Sequence, residues 1–238
     1  MTITEDNNHI IVTELDDFSL SQTLECGQCF RFTKLEDNHY LIVAKDKLLD
    51  IEQTTNSLQF YHTTLTDFKE IWQDYFDLTT DYKKIKNYLI HKDVNMKDII
   101  QTGSGIRILN QDFVETLISF IISQNKQISQ IKQVVETICI KYGTYLNEYH
   151  GKKYYTFPSI EQLSTITEEQ FRECKAGFRA KYLVDASSKL ADGSICESEL
   201  RTLTALDMQN KLCTIKGVGV KVSNCVLLYG LKQKEAFP

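Results

Sequence analysis

Residues 215–221 read Ile215-Lys216-Gly217-Val218-Gly219-Val220-Lys221, and their reading decides the fold of the region around them. An apolar, helix-like run from Ala205 to Ile215 enters the stretch, and a second run from Val220 to Leu231 leaves it. Gly217 and Gly219 permit φ > 0 and leave no Cβ in the way of a close approach. The pattern predicts a helix–hairpin–helix whose turn presents backbone N–H groups at the N-terminus of the second helix. Such a turn is an anion site, suited to a nucleic-acid phosphate. Lys221 falls on the first turn of that helix, where the positive end of the dipole disfavours an ammonium. An amine that can lose its proton can act as a nucleophile. Alone, Gly-x-Gly before a helix is more often a plain turn than a phosphate site.

Charge strengthens the phosphate reading. No acidic residue lies between Asp207 and Glu235, whereas Lys211, Lys216, Lys221, Lys232 and Lys234 all do. The whole chain carries a formal net charge of -5, so this is a basic patch on an acidic protein. Local fields steer phosphates even when the net charge opposes them. The chain-wide acidity argues against a histone-like or coating protein.

A chain of 238 residues, 42% hydrophobic, can bury a sizeable core as one large domain or two smaller ones. It has no stretch of about 20 apolar residues, so no membrane span is implied. Its polar, acidic first residues argue against a secretory signal. Seven cysteines, an odd count, suit a reducing compartment. Cys26 and Cys29 form one Cys-x-x-Cys, but no second pair follows at zinc spacing, and four-cysteine cluster spacing is absent. No metal site is expected.

The fold class read from the pattern is α+β. β-rich runs at His9–Thr13, Gln28–Leu35, Tyr40–Ala44, Leu48–Ile51 and Leu58–Tyr61 are separated by turn residues, as in an antiparallel meander. From Thr64 the period becomes helical, with Leu65, Phe68, Ile71, Trp72 and Tyr75 in step. Apolar helices are expected around Phe113–Ile122 and Ile128–Ile138. Further helices are expected at Ile160–Leu163, Glu168–Cys174, Arg179–Leu190 and Asp207–Ile215. The expected domains are 1–102, an N-terminal antiparallel sheet with flanking helices, and 103–238, all-α, with the helix–hairpin–helix at about 205–231.

A second polar cluster follows the Phe113 helix: Ser123-Gln124-Asn125-Lys126-Gln127-Ile128-Ser129-Gln130. No acid occurs from Thr116 to Val135. Asn and Gln can contact base edges or fill the gap left by an unstacked base. They serve equally as caps in a helix–helix connection.

With both clusters named, the chain resembles the 8-oxoguanine DNA glycosylase/AP lyase family of the helix–hairpin–helix superfamily, from about Thr13 to Pro238. Gly27-Gln28-Cys29-Phe30-Arg31-Phe32 is similar to the family's Gly-Gln-x-Phe-Arg-Trp, and Tyr75-Phe76-Asp77-Leu78 to its Tyr-Phe-x-Leu. Residues 105–112, Gly-Ile-Arg-Ile-Leu-Asn-Gln-Asp, precede a helix ending in Ser-x-Asn. Phe157-Pro158-Ser159, the run 177–182 (Gly-Phe-Arg-Ala-Lys-Tyr) and the hairpin through Lys221, followed by Cys225, complete the ordered series.

The resemblance implies a TBP-like N-terminal sheet domain, followed by a helical glycosylase domain. It implies base-excision repair of duplex DNA containing 8-oxoguanine, by base flipping. Lys221 would attack C1′ and form a Schiff base that undergoes β-elimination. The Gly27 carbonyl would accept from the N7–H that only the oxidised purine carries, and Cys225 would line the base pocket. Asn125 would fill the vacated place and contact the orphaned cytosine with help from Arg179. Gly217, Gly219, Val220 and Lys221 would hold a phosphate with their backbone, with a structural monovalent cation at the hairpin and no required cofactor. A cytoplasmic, nucleoid-associated location and no obligate protein partner follow from the same likeness.

Two departures carry expectations. Gln130 stands where the family has a second arginine, so relaxed choice of the opposite base is expected. The family continues past the equivalent of Phe237-Pro238 with a catalytic Asp and further helices, so the 238-residue chain is expected to be a truncated form with reduced glycosylase activity. The alternatives are a non-catalytic helix–hairpin–helix DNA-binding module, and an alkylated-base glycosylase, whose chemistry uses Asp without a lysine nucleophile.

Overall fold

Alternating apolar residues build the sheet of the N-terminal half. In the computed structural model, which describes residues 1–238, strands β1 (Thr2–Asp6), β2 (His9–Thr13), β3 (Phe32–Glu36), β4 (His39–Ala44), β5 (Lys47–Gln53) and β6 (Ser57–Tyr61) form one sheet in the order β1-β2-β6-β5-β4-β3. Ile10 pairs with Phe60 and Val12 with Leu58 across the β2–β6 ladder, and all four side chains are buried. Asn7 and Asn8, at φ 49° and 59°, make the β1–β2 turn. Two successive left-handed residues match the twist of a tight hairpin, and Asn tolerates that backbone.

Two compact units emerge: Met1–Ile42 with Leu49–Asn110, and Val43–Leu48 with Gln111–Pro238. In the first, α1 (Leu20–Glu25) precedes β3. A strand was expected from Gln28, but pairing begins only at Phe32. The reason is Gln28, whose buried amide donates to the Thr23 carbonyl at 2.7 Å and the Arg107 carbonyl at 2.9 Å, while the Leu109 N–H donates to its Oε1 at 2.9 Å. These side-chain bonds commit the local backbone to a loop. Arg107 is likewise buried, donating to the carbonyls of Asp77 (2.7 Å), Thr80 (3.0 Å) and Asp16 (2.9 Å). The 65–75 stretch runs as α2 (Leu65–Asp67), a π turn (Phe68–Trp72) and α3 (Gln73–Tyr75). Phe68 and Phe76 set their ring edges against Phe60, with centroids 5.0 and 6.0 Å away. Helices α4 (Tyr82–Lys92) and α5 (Met96–Thr102) follow.

The second unit is built on α6 (Phe113–Ser123), capped by Asp112, whose Oδ1 accepts from the Glu115 N–H at 3.0 Å. Its Leu117, Ile118, Ile121 and Ile122 are fully buried, each contributing roughly 1.5–3 kcal/mol. After α7 (Ile128–Tyr142), strands β7 (Tyr145–Tyr149) and β8 (Lys152–Tyr155) form a hairpin that was not expected. Its turn is His150-Gly151, at φ 50° and 74°. Then come α8 (Ile160–Ser164), α9 (Glu168–Glu173), a 3₁₀ turn (Gly177–Arg179), α10 (Ala180–Ala191), α11 (Glu197–Leu200), α12 (Ala205–Leu212) and α13 (Val220–Tyr229). α13 lies on α6: the Phe120 and Tyr229 rings stack at 5.5 Å, and a Cβ on Gly230 would sit 3.3 Å from the Phe113 Cα. No helix is long and apolar enough to cross a membrane.

Candidate nucleic-acid interface

Helices α12 and α13 and the turn between them form the expected helix–hairpin–helix. The Thr204 hydroxyl caps α12 by accepting from the Asp207 N–H at 3.2 Å. Buried Ile215 and Val218 seat the turn, and the Val218 N–H donates to the Ile215 carbonyl at 3.0 Å. Gly217 has φ 79°, and a Cβ there would lie 2.4 Å from the Tyr182 ring. Glycine is thus required twice over. Gly219 corrects the sequence reading: it is the N-cap of α13 at φ -104°, backbone that any residue adopts. What its missing side chain provides is space, because nothing lies within 4 Å of a Cβ placed there. The first-turn amides of α13 have no side-chain cap and face an open approach, which is the geometry of an anion site.

Lys221 is exposed on that first turn, with neither hydrogen bond nor ion pair. One turn further on, Cys225 is buried, and burial pushes its thiol up to about 11 against the opposing charge of Lys221. The thiol is therefore neutral at physiological pH. The basic patch is smaller than the sequence window suggests. Lys211 pairs with Glu199, and Lys216 sits 3.5 Å from Asp185 while its N–H donates to the same carboxylate at 2.9 Å. Burial alone would raise the Asp185 carboxyl; the Lys216 N–H together with Lys189 and Lys216 outweighs it and holds the group below its ordinary value. The neutralising acids come from α10 and α11, outside the stretch that looked purely basic.

The amide cluster is a loop held by Arg179. α6 ends at Ser123, and Asn125 turns the chain at φ 50° with its side chain exposed. Arg179 is buried, and its guanidinium donates from Nε to the Gln124 carbonyl at 2.8 Å and from Nη2 to the Asn125 carbonyl at 3.2 Å. Its donors are thus committed to backbone, where the sequence reading had them help contact cytosine. Burial and the Arg179 charge push the neighbouring Lys126 ammonium down. Gln130 is also engaged: its Oε1 accepts from the Gln127 N–H at 3.3 Å and caps α7. Phe178, which sequence reasoning passed over, is 49% exposed with the guanidinium 4.3 Å from its ring centre. Its ring meets that of Tyr182 at 6.1 Å, and Tyr182 is the residue beneath Gly217. The start of α10 therefore joins the Asn125 loop to the hairpin in one contact chain, and the run 177–182 that carried the resemblance is that joint.

Gly27 lies in the first unit, half-buried at φ 89°, and its carbonyl accepts no hydrogen bond. The adjacent Cys26 and Cys29 donate to the carbonyls of Thr23 and Leu24, the last turns of α1. No group of three or more His, Cys, Asp or Glu side chains is placed to hold a metal ion.

The chain's likeness to known proteins has the same two-part form. The 8-oxoguanine DNA glycosylase N-terminal domain family matches residues 10–117, and the HhH-GPD superfamily of base excision DNA repair proteins matches residues 118–238. The N-glycosylase/DNA lyase OGG1 of Arabidopsis thaliana is 29% identical over 93% of this chain and 63% of its own length. The N-glycosylase/DNA lyase of Saccharomyces cerevisiae is 37% identical over 56% of this chain and 39% of its own. This chain thus spans less than two thirds of either relative. The crystal structure of Clostridium acetobutylicum 8-oxoguanine glycosylase/lyase, in complex with double-stranded DNA containing cytosine opposite 8-oxoguanine, superposes with a TM-score of 0.95 at 37% identity, covering 100% of this chain and 81% of that one.

Proposed function

The chain belongs to the HhH-GPD superfamily of base excision DNA repair proteins and carries an 8-oxoguanine DNA glycosylase N-terminal domain; on that premise we propose that it is a bifunctional DNA glycosylase/AP lyase excising 8-oxoguanine from duplex DNA. The observation that carries this reading is Lys221, an exposed amine without a partner on the first turn of an uncapped helix. The hairpin amides hold a phosphate next to the lesion, and the Gly217–Gly219 turn would hold a monovalent cation that offsets the phosphate charge. The lesion leaves the stack, because neither C1′ nor the purine edge is reachable within it. Phe178 wedges into the step and Asn125 occupies the vacated place, both supported by Arg179. The free Gly27 carbonyl accepts from N7–H of the oxidised base. Guanine carries a lone pair at N7, and two facing acceptors repel. The neutral Cys225 thiol supplies an apolar wall.

In the chemical step the Lys221 amine attacks C1′ as the glycosidic bond breaks, and the departing base takes up the proton that the amine gives up. The sugar ring then opens to an iminium, and loss of a C2′ proton expels the 3′ phosphate. The site of action is chromosomal DNA, in a prokaryotic cell the cytoplasmic nucleoid.

Borohydride reduction on a duplex containing 8-oxoguanine tests the proposal, because only an iminium becomes a covalent adduct. Lys221→Gln is expected to abolish adduct and strand cleavage while DNA affinity stays within about threefold, since one exposed charge contributes little. Lack of an adduct with the unaltered chain would favour the non-catalytic module or the lysine-independent glycosylase. An adduct that persists in the variant places the nucleophile elsewhere.

A further inference from the structure

Neither α4 nor α5 contains a buried residue. Between residues 85 and 99 lie four of the chain's most exposed large apolar side chains: Ile85 at 43%, Tyr88 at 60%, Val94 at 74% and Ile99 at 64%. Single exposed apolar residues are ordinary, but four within one stretch spanning two helices that contact each other mark a surface that something covers. The helices are anchored at their base. The Tyr82 hydroxyl donates to Asp77 Oδ2 at 2.9 Å, and Lys86 pairs with Asp17 at 2.8 Å.

Charge says what covers it. Residues 82–92 hold four lysines and a histidine and no acid, in a chain of net charge -5. Lys86 is neutralised by Asp17, whereas the ammonium groups of Lys83, Lys84 and Lys92 make no ion pair. Lys92 lies 5.5 Å from the Tyr88 ring centre, so cation and aromatic share one face of α4.

We infer that α4 and α5 form a docking surface for an acidic, apolar-anchored segment of a partner protein. Ile85, Tyr88, Val94 and Ile99 cover its anchors, and Lys84 and Lys92 meet its carboxylates. Duplex DNA would satisfy the lysines but leave the aliphatic side chains facing phosphate. An anionic membrane would set Asp93 and Asp98, next to Val94 and Ile99 in the chain, against a continuous surface of their own sign, whereas a peptide segment can carry its carboxylates only where Lys84 and Lys92 stand. The proposal is independent of the role given to Lys221.

The test uses the 238-residue chain and fluorescence anisotropy with a labelled synthetic peptide alternating Asp with Leu and Phe. A poly-Asp peptide of equal length and an undamaged duplex serve as comparators. The alternating peptide is expected to bind at micromolar concentration and more weakly in high salt. Tyr88→Ala, and separately Lys84→Glu with Lys92→Glu, should each weaken it about tenfold. All these side chains are exposed, so melting midpoints, duplex affinity and borohydride adduct formation should not change. Three results overturn the proposal: poly-Asp binding as tightly as the alternating peptide, no saturable binding up to about 1 mM, or the substitutions weakening duplex DNA as much as peptide, which would make the surface a nucleic-acid contact.

Discussion

At the scale of residues, two glycines two positions apart answer to different forces. Gly217 is held at φ 79° with the Tyr182 ring where a Cβ would go. Gly217→Ala should therefore cost roughly 1–2 kcal/mol for the left-handed backbone and a further 1–3 for overpacking. Gly219 has ordinary φ and open space around it. Gly219→Ala should leave the melting midpoint unchanged and still weaken lesion and undamaged duplexes alike, because its methyl stands where a phosphate approaches. Thermal melts and anisotropy on the two variants check this; a destabilised Gly219→Ala, or one selective for the lesion, contradicts the assignment. The cysteines differ in the same local way. The Ser198 hydroxyl, helped by the amides of Ser198 and Glu199, holds the Cys196 thiol below its ordinary value, whereas burial lifts Cys225 from 9.0 to about 11. Alkylation at pH 8 should therefore reach Cys196 well before Cys225. For Cys225 the folded value lies above the unfolded one, so its contribution to stability is complete below pH 9 and is lost as pH rises towards 11. Cys225→Ala should flatten the fall in melting midpoint across that window. The turn at Gly217 and the place of Lys221 on the first turn of the following helix were legible in sequence because a hairpin is local. Tyr182 and Asp185 were not, because nothing local ties a ring or carboxylate about thirty residues away to that turn.

At the scale of elements, the joint at the start of α10 matters most. A buried guanidinium spans the Gln124 and Asn125 carbonyls at the end of α6 and fixes Asn125 in a left-handed turn. Arg179→Ala should cost about 1–3 kcal/mol through the carbonyls it strands, and should weaken binding of both damaged and undamaged duplex by loosening the loop. Arg179→Lys keeps the charge but lacks the planar fork that reaches two acceptors, so it should recover only part of either loss. Melts and anisotropy on the pair decide between this positioning role and a direct base contact, which would spare stability. The strongly periodic elements, α6 and α7 above all, were readable because their apolar stripes repeat over three or more turns. β1 was missed because Thr-Ile-Thr-Glu-Asp buries no residue and shows no apolar face. The β7–β8 hairpin was missed because Tyr154 is the one buried residue of its two strands and leaves no alternating apolar face, although its His150-Gly151 turn was a usable signal. The amide cluster, for which a helix–helix connection was one of two open readings, does join α6 to α7. That Gln130 caps it follows from the spacing of a capping box, Gln127 to Gln130.

At the scale of the whole molecule, an acidic chain has to bind a polyanion. Its net charge is -5, and Lys211 and Lys216 of the hairpin region are matched by carboxylates from other helices. Long-range attraction is therefore weak, and affinity rests on a few short contacts, several of them backbone N–H groups. Each neutralised phosphate contributes a salt slope of about -0.9, and an amide releases less counterion than a lysine does. Two to three such contacts give a total slope of roughly -2 to -3, or a loss of about fifteen- to sixtyfold between 50 and 200 mM salt. A basic duplex-binding protein with many lysine contacts would lose far more over the same range. Anisotropy titrations of undamaged duplex across that range measure the slope directly. Replacing Lys216 or Lys221 by Gln should barely move it, because Asp185 already offsets the first charge and the second side chain is directed to C1′ while backbone amides hold the phosphate. A measured slope steeper than about -5, or a large change from either substitution, would mean that side-chain cations carry the binding, and the assignment of the phosphate contact to the backbone of this turn would fail with it.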